Sequence, residues 1–186
     1  MADSPASTAV TATLSPERQL KRNRAFALAI ALAVFAFDQA TKWVVTYPLS
    51  LHSQPDRMLT LTSFFNLHWV ENRGVSLGLL SAGSEMGRWL LVALTFAIAL
   101  FVAAWLWRER QRGDSVALAL VLGGALGNIV DRVRYGYVVD FADLHFGDWR
   151  PFLVFNVADA AITIGVLLLL VRALLMRDGK APKKES

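Results

Sequence analysis

The chain has 186 residues, of which 55% are hydrophobic and only 18% are charged, and its mean hydropathy is +0.42. This composition is too apolar for a soluble domain of this length, and it predicts an integral membrane protein. The net charge of +4 does not indicate nucleic acid binding, because the basic residues lie at the ends of apolar segments. The absence of cysteine excludes disulfides, a thiol nucleophile and iron–sulfur clusters.

Four apolar segments are long enough to cross the bilayer hydrocarbon, which takes about 20 residues. In chain order they are residues 25–47, 89–107, 115–130 and 151–171. A soluble protein would have to bury these segments as core helices, and four of them leave almost no polar surface to enclose a core. The sequence therefore predicts an all-α integral membrane protein with four transmembrane helices.

The basic residues predict the orientation of the spans, because cytoplasmic flanks of transmembrane helices are rich in lysine and arginine. Of the 19 basic residues, 12 lie in the N-terminal tail, the connector between the second and third spans, and the C-terminal tail. An even number of spans joins these segments, so both termini are predicted to be cytoplasmic. A cleaved signal peptide is the alternative for the first span. Asp38 and Lys42 follow its apolar run directly and favour a retained span.

This organisation predicts a disordered cytoplasmic tail over residues 1–24, a four-helix transmembrane domain over 25–175, and a basic cytoplasmic tail over 176–186. The segment 48–88 is expected outside the membrane. Within it, apolar and polar side chains alternate from Leu59 to Trp69, which is the period of half-buried strands. We expect a small β platform on the extracytoplasmic side.

Acidic side chains near a span are costly to insert into the membrane, so their positions are informative. Asp38 lies deep in the outward-running first span, and Asp131 ends the third span. Asp159 lies about two turns after the outer start of the fourth span at Pro151, and Asp140 lies in the outer connector before it. The topology therefore predicts that four carboxyls converge near the outer leaflet.

Two of the spans carry the same pattern, an asparagine followed three residues later by an aspartate, at 128–131 and 156–159. This spacing places an amide and a carboxyl on one helix face, where the amide could orient a neighbouring carboxyl. The same residues could instead hold helices together by hydrogen bonds across the bundle. The sequence alone leaves both interpretations open.

Other residues in the spans have structural interpretations. Gly123, Gly124 and Gly127 have the spacing of small residues that let transmembrane helices approach closely. Asp38 and Lys42 are four residues apart on one helix, which predicts an ion pair at the end of the first span.

Paired carboxyls are the best supported chemistry, since one can stay protonated while the other ionises, and together they can hydrolyse an amide without a cofactor. Asp140, Asp143 and His145 could hold a metal ion, but they lack the spacing of a metal-ligand repeat. No serine accompanies the asparagine and aspartate motifs as a nucleophile. A proton-linked transporter and a non-enzymatic scaffold are further alternatives, because intramembrane acids also mark proton relays.

At these motifs the chain resembles the lipoprotein signal peptidases, also called signal peptidase II, which are aspartyl proteases of bacterial inner membranes. The resemblance extends from about Phe37 to Leu170. It rests on five segments in this order: DQATK at 38–42, ENRG at 71–74, GGALGNIVDR at 123–132, VVDF at 138–141 and FNVAD at 155–159.

The resemblance implies an endopeptidase that removes signal peptides from prolipoproteins, cleaving before a cysteine that carries diacylglycerol. It implies that Asp140 and Asp159 are the catalytic residues, with no metal or other cofactor. The residues that match the family's polar shell are Asp38, Lys42, Asn72, Asn128, Asp131, Arg132 and Asn156. The expected partners are prolipoproteins and membrane lipid, without nucleic acid, for a monomer. The expected location is the bacterial inner membrane, with the site near the periplasmic face.

The chain departs from the family pattern in two places. Residues 72–76 read Asn-Arg-Gly-Val-Ser where the family often has Asn-Thr-Gly-Ala-Ala, so the contacts of this loop can differ. The connector also carries Asp143 and His145 close to Asp140, where a local charge could perturb that carboxyl.

Overall fold

The computed structural model describes residues 15–74 and 85–178, with side chains as far as Leu175. In this part of the chain, four helices are long and apolar enough to cross a membrane. They are α1 (Pro16–Thr46), α2 (Glu85–Arg108), α3 (Arg112–Tyr135) and α4 (Val157–Asp178). The predicted four-helix membrane architecture is confirmed. Most of the predicted tails and residues 75–84 of the outer loop lie outside the described residues.

Helix α3 is the centre of the bundle. In its apolar membrane-spanning segment 61% of the residues are buried, against 17 to 22% in the corresponding segments of the other three helices. Glycines on α3 allow this close packing. A Cβ on Gly123 would lie 2.5 Å from the carbonyl oxygen of Ala31 in α1. A Cβ on Gly124 would lie 2.5 Å from the carbonyl oxygen of Ala158 in α4. The prediction that these glycines are packing sites is confirmed.

Helix α1 begins at Pro16, well before the apolar run that marks the first span. The prediction of a disordered tail over residues 1–24 is therefore wrong for residues 16–24, which are helical. Asn23 donates to the carbonyl oxygen of Arg110 at 3.4 Å, and Arg24 donates to that of Trp107. These bonds satisfy carbonyls at and beyond the end of α2, where a helix leaves its last carbonyl groups without intrahelical partners. A hydropathy pattern cannot detect a helical extension that is held by polar contacts.

Helix α4 begins at Val157 and not at Pro151, where the apolar run begins. The residues before Val157 are held by the sheet, because Phe155 exchanges two backbone hydrogen bonds with Ala142, at 2.7 and 3.1 Å. Asp159 consequently lies in the first turn of α4, and not two turns from the start of the span.

The outer connectors form a three-stranded antiparallel sheet in the order β1–β2–β3. The strands are Met58–Thr60, Phe65–Asn72 and Val138–Leu144. The predicted β platform is present, and its third strand comes from the second outer connector, where no alternation predicts it. Strand β3 is buried on both faces almost throughout, so its sequence is a continuous apolar run interrupted by aspartates.

A β-bulge in β2 lies next to the polar residues of the sheet. Regular pairing runs up to Leu67 and Ala142 and resumes at Val70 and Asp140, so β2 accommodates one extra residue. Bulges bend a strand and re-aim the side chains that follow. The side chain re-aimed here is that of Asn72, which reaches Asp140 across the strands.

Candidate functional site

Asp140 and Asp159 lie together where the sheet meets the helix bundle, and we call them the carboxyl pair. Asp140 is in the middle of β3 with its side chain buried, and Asp159 is partly exposed in the first turn of α4. Asn156 contacts both. Its Nδ2 lies 2.6 Å from Oδ1 of Asp140, and its backbone N–H donates to Oδ2 of Asp159 at 3.3 Å.

Asn156 and Asp159 cap the start of α4 reciprocally. The side-chain oxygen of Asn156 accepts the backbone N–H of Asp159 at 2.9 Å, while the Asp159 carboxylate accepts the backbone N–H of Asn156. This is the geometry of a capping box, in which the residue before a helix and the third helical residue satisfy each other's N–H groups. The prediction that both residues share a helix face is therefore wrong, because Asn156 precedes the helix.

Asn128 orients Asp159 from the central helix. Its Nδ2 donates to Oδ1 of Asp159 at 2.8 Å, and its Oδ1 accepts from Lys42 and Asn156, each at 3.2 Å. An ammonium can only donate, so the contact with Lys42 fixes which end of the amide faces Asp159. The amide of each motif thus donates to a carboxyl outside its own motif: Asn128 donates to Asp159, and Asn156 donates to Asp140.

Asn72, at the end of β2, is the second side-chain donor to Asp140. Its Nδ2 lies 2.9 Å from Oδ2 of Asp140, and its Oδ1 accepts the backbone N–H of Gly74 at 3.0 Å. Gly74 has a φ of +88°, which glycine adopts without strain, and a Cβ there would lie 2.7 Å from the side chain of Leu91. The turn at Gly74 therefore fixes the Asn72 amide with its N–H toward Asp140.

The chain departs from the family pattern at residues 73, 75 and 76. Of these, Arg73 is described by the structure, whereas Val75 and Ser76 lie outside the described residues. The guanidinium of Arg73 lies 2.6 Å from the Glu71 carboxylate and 5.4 Å from the ring centre of Tyr137. These partners lie beside Arg73 at the end of the sheet, so the departure from the family pattern is accommodated locally.

Lys42 neutralises two buried carboxylates next to the carboxyl pair. Its ammonium lies 2.9 Å from Oδ2 of Asp38 and 2.8 Å from Oδ2 of Asp131, and it also donates to Asn128. All three of its N–H donors thus have buried acceptors. The predicted ion pair between Asp38 and Lys42 is confirmed, and Asp131 is a second partner that the sequence analysis did not predict.

The two carboxylates that share Lys42 also hold the backbone beside the carboxyl pair. Asp38 accepts the backbone N–H of Ala158 in α4 at 2.9 Å. Asp131 accepts the backbone N–H of Val139 in β3 at 3.1 Å. Each of these backbone residues immediately precedes one member of the carboxyl pair, so helices α1 and α3 position the pair through main-chain bonds.

Gln39 is a further residue of this network, and it is not among the predicted site residues. Its Nε2 lies 3.0 Å from Oδ1 of Asp131 and 3.3 Å from Oδ2 of Asp38. The carbonyl oxygen of Gly127 is also within 3.3 Å of this nitrogen. The sequence feature that could have identified Gln39 is its position as an uncharged amide between Asp38 and Lys42, inside an otherwise apolar span.

Arg132 brings positive charge close to the carboxyl pair. Its guanidinium donates to the carbonyl oxygen of Asn128 at 3.4 Å and acts electrostatically on Asp159 and Asp140. Its Nε is buried without a hydrogen-bond partner among the residues that the structure describes.

Burial raises the pKa of Asp140 to about 7, and the negative charge of Asp159 contributes in the same direction. The hydrogen bonds from Asn72 and Asn156 act in the opposite direction, because they stabilise the ionised carboxylate. The carboxyl pair is therefore built so that Asp140 can hold a proton near neutral pH.

Asp143 is three residues from Asp140 in the same strand, so the two side chains point to opposite faces. The buried carboxylate of Asp143 pairs with Arg150 at 3.2 Å and accepts from Asn66 at 3.3 Å. Its charge is thus compensated away from the carboxyl pair. Within residues 15–74 and 85–178, no three histidine, aspartate or glutamate side chains could hold a metal ion, so the alternative site with His145 is unsupported.

The family model of signal peptidase II matches residues 30–175 of the chain. The chain belongs to the signal peptidase II family. A lipoprotein signal peptidase of Sphingopyxis alaskensis is 60% identical over 163 residues, which are 87% of this chain and 93% of that protein. One from Rhizorhabdus wittichii is 57% identical over 160 residues, or 86% of this chain and 92% of that protein.

A solved structure shares the fold of this signal peptidase II. It is described as a bacterial membrane enzyme determined by the in meso method at 2.3 Å resolution. The two chains superpose with a TM-score of 0.71 at 29% identity, covering 87% of this chain and 95% of the other. This signal peptidase II is therefore a multi-pass membrane protein and a protease, which excludes the transporter and scaffold interpretations.

Proposed function

We propose that this signal peptidase II removes signal peptides from prolipoproteins by aspartyl catalysis, with Asp140 and Asp159 as the catalytic residues. Its high identity to proteins named lipoprotein signal peptidases supports the substrate class. The observation that carries the catalytic assignment is the contact of Asn156 with both carboxyls, through its side-chain amide to Asp140 and its backbone N–H to Asp159. The bond cleaved is the one before the cysteine that carries diacylglycerol.

In this mechanism Asp140, whose pKa is raised to about 7, is the acid, and Asp159 is the base. Asp159 takes a proton from a water molecule, whose oxygen attacks the carbonyl carbon of the scissile bond. Asp140 donates its proton to the carbonyl oxygen. The tetrahedral intermediate then collapses as its C–N bond breaks. The leaving amine takes up the proton held by Asp159, and a hydroxyl of the intermediate returns a proton to Asp140, which restores both carboxyls. No covalent bond to the enzyme and no cofactor is required.

The polar shell positions the catalytic residues in three ways. Its amides orient the carboxyls, its two buried carboxylates hold the backbone, and its cations compensate negative charge. The amides are Asn72, Asn128 and Asn156, the carboxylates are Asp38 and Asp131, and the cations are Lys42 and Arg132.

The substrate's acyl chains supply binding energy by burial in lipid and protein, at about 0.8 kcal/mol for each CH₂ group. The enzyme works as a monomer in the bacterial inner membrane, takes no nucleic acid, and has both termini in the cytoplasm. The site then faces the periplasm, because the sheet and the α2–α3 connector lie at opposite ends of the helices.

The substrate class is tested with purified protein, a diacylglyceryl prolipoprotein, and the same precursor with serine in place of its modified cysteine. We expect cleavage of the first and none of the second. Cleavage of both, or of neither, would refute the substrate assignment.

The orientation is tested by single cysteines, for which the chain provides a cysteine-free background. Ser53→Cys is exposed beside the sheet, and Arg110→Cys is exposed between α2 and α3. A membrane-impermeant thiol reagent added to intact cells should label only the first. Labelling of only the second would invert the topology.

A further inference from the structure

The connector between β3 and α4 exposes four large apolar side chains, which we call the connector patch. They are Phe146, Trp149, Phe152 and Leu153, with exposed fractions of 55, 65, 60 and 91%. Burying apolar side chains of this size is favourable, so leaving all four in water is unfavourable. Contiguous exposed apolar groups of this kind mark contact surfaces.

The connector patch belongs to an ordered turn. Phe146 and Trp149 exchange two backbone hydrogen bonds, at 2.9 and 3.3 Å, and their ring centres are 5.8 Å apart. Arg150, next to the patch, is tied to the buried Asp143 at 3.2 Å. The apolar side chains are therefore held outward by local structure.

The depth of the connector patch follows from its contacts with α4. Phe152 and Leu153 line a groove of about 240 Å³ together with Thr163 and Ile164 of α4. Ile164 lies seven residues after the first residue of α4, which is about 10 Å along the helix axis. The connector thus turns back from the sheet and runs beside the membrane-spanning part of α4.

We propose that the connector patch is inserted into the leaflet that surrounds the first turns of α4, in contact with lipid acyl chains. Phe152 and Leu153 share the groove with Ile164 of α4, which is 52% exposed, and Leu167 further along the helix is 53% exposed. Phenylalanine and tryptophan suit this depth, and Arg150 can extend from the edge of the patch to the headgroups.

One consequence concerns the substrate, and this consequence alone rests on the proposed function. Asp159 lines the same groove as Phe152 and Leu153. A groove whose outer wall is embedded in lipid opens toward the bilayer, so a lipid-anchored substrate can approach Asp159 from within the leaflet.

The insertion is tested by nitroxide labels at single cysteines in the full chain, reconstituted in vesicles of phosphatidylethanolamine and phosphatidylglycerol. Trp149→Cys and Leu153→Cys are the test positions. Leu167→Cys is the lipid-facing reference, and Ser53→Cys is the aqueous reference. At each test position we measure the ratio of collisions with oxygen to collisions with a nickel chelate. We expect this ratio at positions 149 and 153 to match the ratio at position 167 and to exceed the ratio at position 53 severalfold.

Three outcomes would overturn the insertion. A ratio equal to that at Ser53 places the patch in water. Low collision with both reagents, with spin–spin broadening, shows a second copy of the chain on the patch. Low collision without broadening shows that another part of the same chain covers it. The same ratios are expected with Asp140→Asn, so a failure of the catalytic proposal leaves this test valid.

Discussion

The Nδ2 atom of Asn156 lies 2.6 Å from Oδ1 of Asp140, and this bond joins the start of α4 to the middle of β3. The oxygen of the same amide accepts the backbone N–H of Asp159 at 2.9 Å. One side chain therefore sets the relative positions of two carboxyls that belong to different elements.

Replacing Asn156 separates its two roles. Asn156→Ser can still cap α4 but is too short to reach Asp140, whereas Asn156→Ala loses both contacts. We expect kcat to fall about 100-fold in both variants, because the carboxyls lose their alignment. The free energy of unfolding should be about 1 kcal/mol lower in Asn156→Ala than in Asn156→Ser, because only the serine can cap the helix. Wild-type kcat in Asn156→Ser would show that the contact with Asp140 has no role in catalysis.

The raised pKa of Asp140 predicts the alkaline limit of activity. Asp140 must be protonated to act as the acid, and its pKa is about 7. We expect kcat/KM to fall as the pH rises through this value. The measurement is kcat/KM across pH in one detergent, with protein stability followed in parallel. Constant activity up to about pH 9 would contradict the role of Asp140 as the acid.

Asn72→Ala should move this alkaline limit to higher pH. The Asn72 amide donates to Asp140 and stabilises its ionised form, so removing the amide raises the pKa of Asp140 further. The matched control is Asn66→Ala, which removes an amide from Asp143 on the opposite face of the strand. The pH profile of the control should keep its wild-type alkaline limit. A downward shift in Asn72→Ala would mean that the amide stabilises the protonated form.

Lys42→Met should destabilise the fold strongly. The substitution leaves the buried carboxylates of Asp38 and Asp131 without their shared cation. Removing one partner of a buried ion pair typically lowers the free energy of unfolding by about 3–5 kcal/mol. Lys21→Met is the matched control, because Lys21 is exposed on the same helix. Thermal unfolding in detergent measures both variants. Equal stability of the two would show that the buried carboxylates do not depend on Lys42.

The convergence of carboxyls could be predicted from topology alone. Hydropathy gives the number of spans, the basic residues give their direction, and these place Asp38, Asp131, Asp140 and Asp159 at similar depth. Their separate roles could not be predicted this way. Asp131 contacts Lys42, whereas Asp140 accepts from the amides of Asn72 and Asn156, and this difference depends on side-chain geometry between elements. Only the resemblance to the family ranked Asp140 above Asp131.

The error over Asn156 has a physical cause. The apolar pattern of residues 151–171 predicts a helix from its first residue, but backbone bonds from Phe155 to Ala142 hold the segment against the sheet. The helix begins only at Val157, and Asn156 becomes its cap. Pairing between distant strands is invisible to a local hydropathy pattern, and so is the third strand that makes it possible.

The most direct test of the aspartyl mechanism is the rate at which folded Asp140→Asn cleaves a diacylglyceryl prolipoprotein. Asparagine nearly preserves the shape of the side chain and removes its proton, so we expect cleavage to be abolished. Asp143→Asn, in the same strand but on the opposite face, should retain activity.

Asp140→Asn should also stay folded. The raised pKa of Asp140 means that its carboxyl contributes stability below pH 3.8, which is lost as the pH rises through about 7. At higher pH asparagine removes the cost of the ionised carboxylate, but it also replaces one of the two oxygens that accept from Asn72 and Asn156 by a donor. These effects oppose each other, so the unfolding temperature should stay close to that of the wild type. Loss of cleavage in this folded variant is the predicted result, and substantial turnover by it would contradict the catalytic role of Asp140.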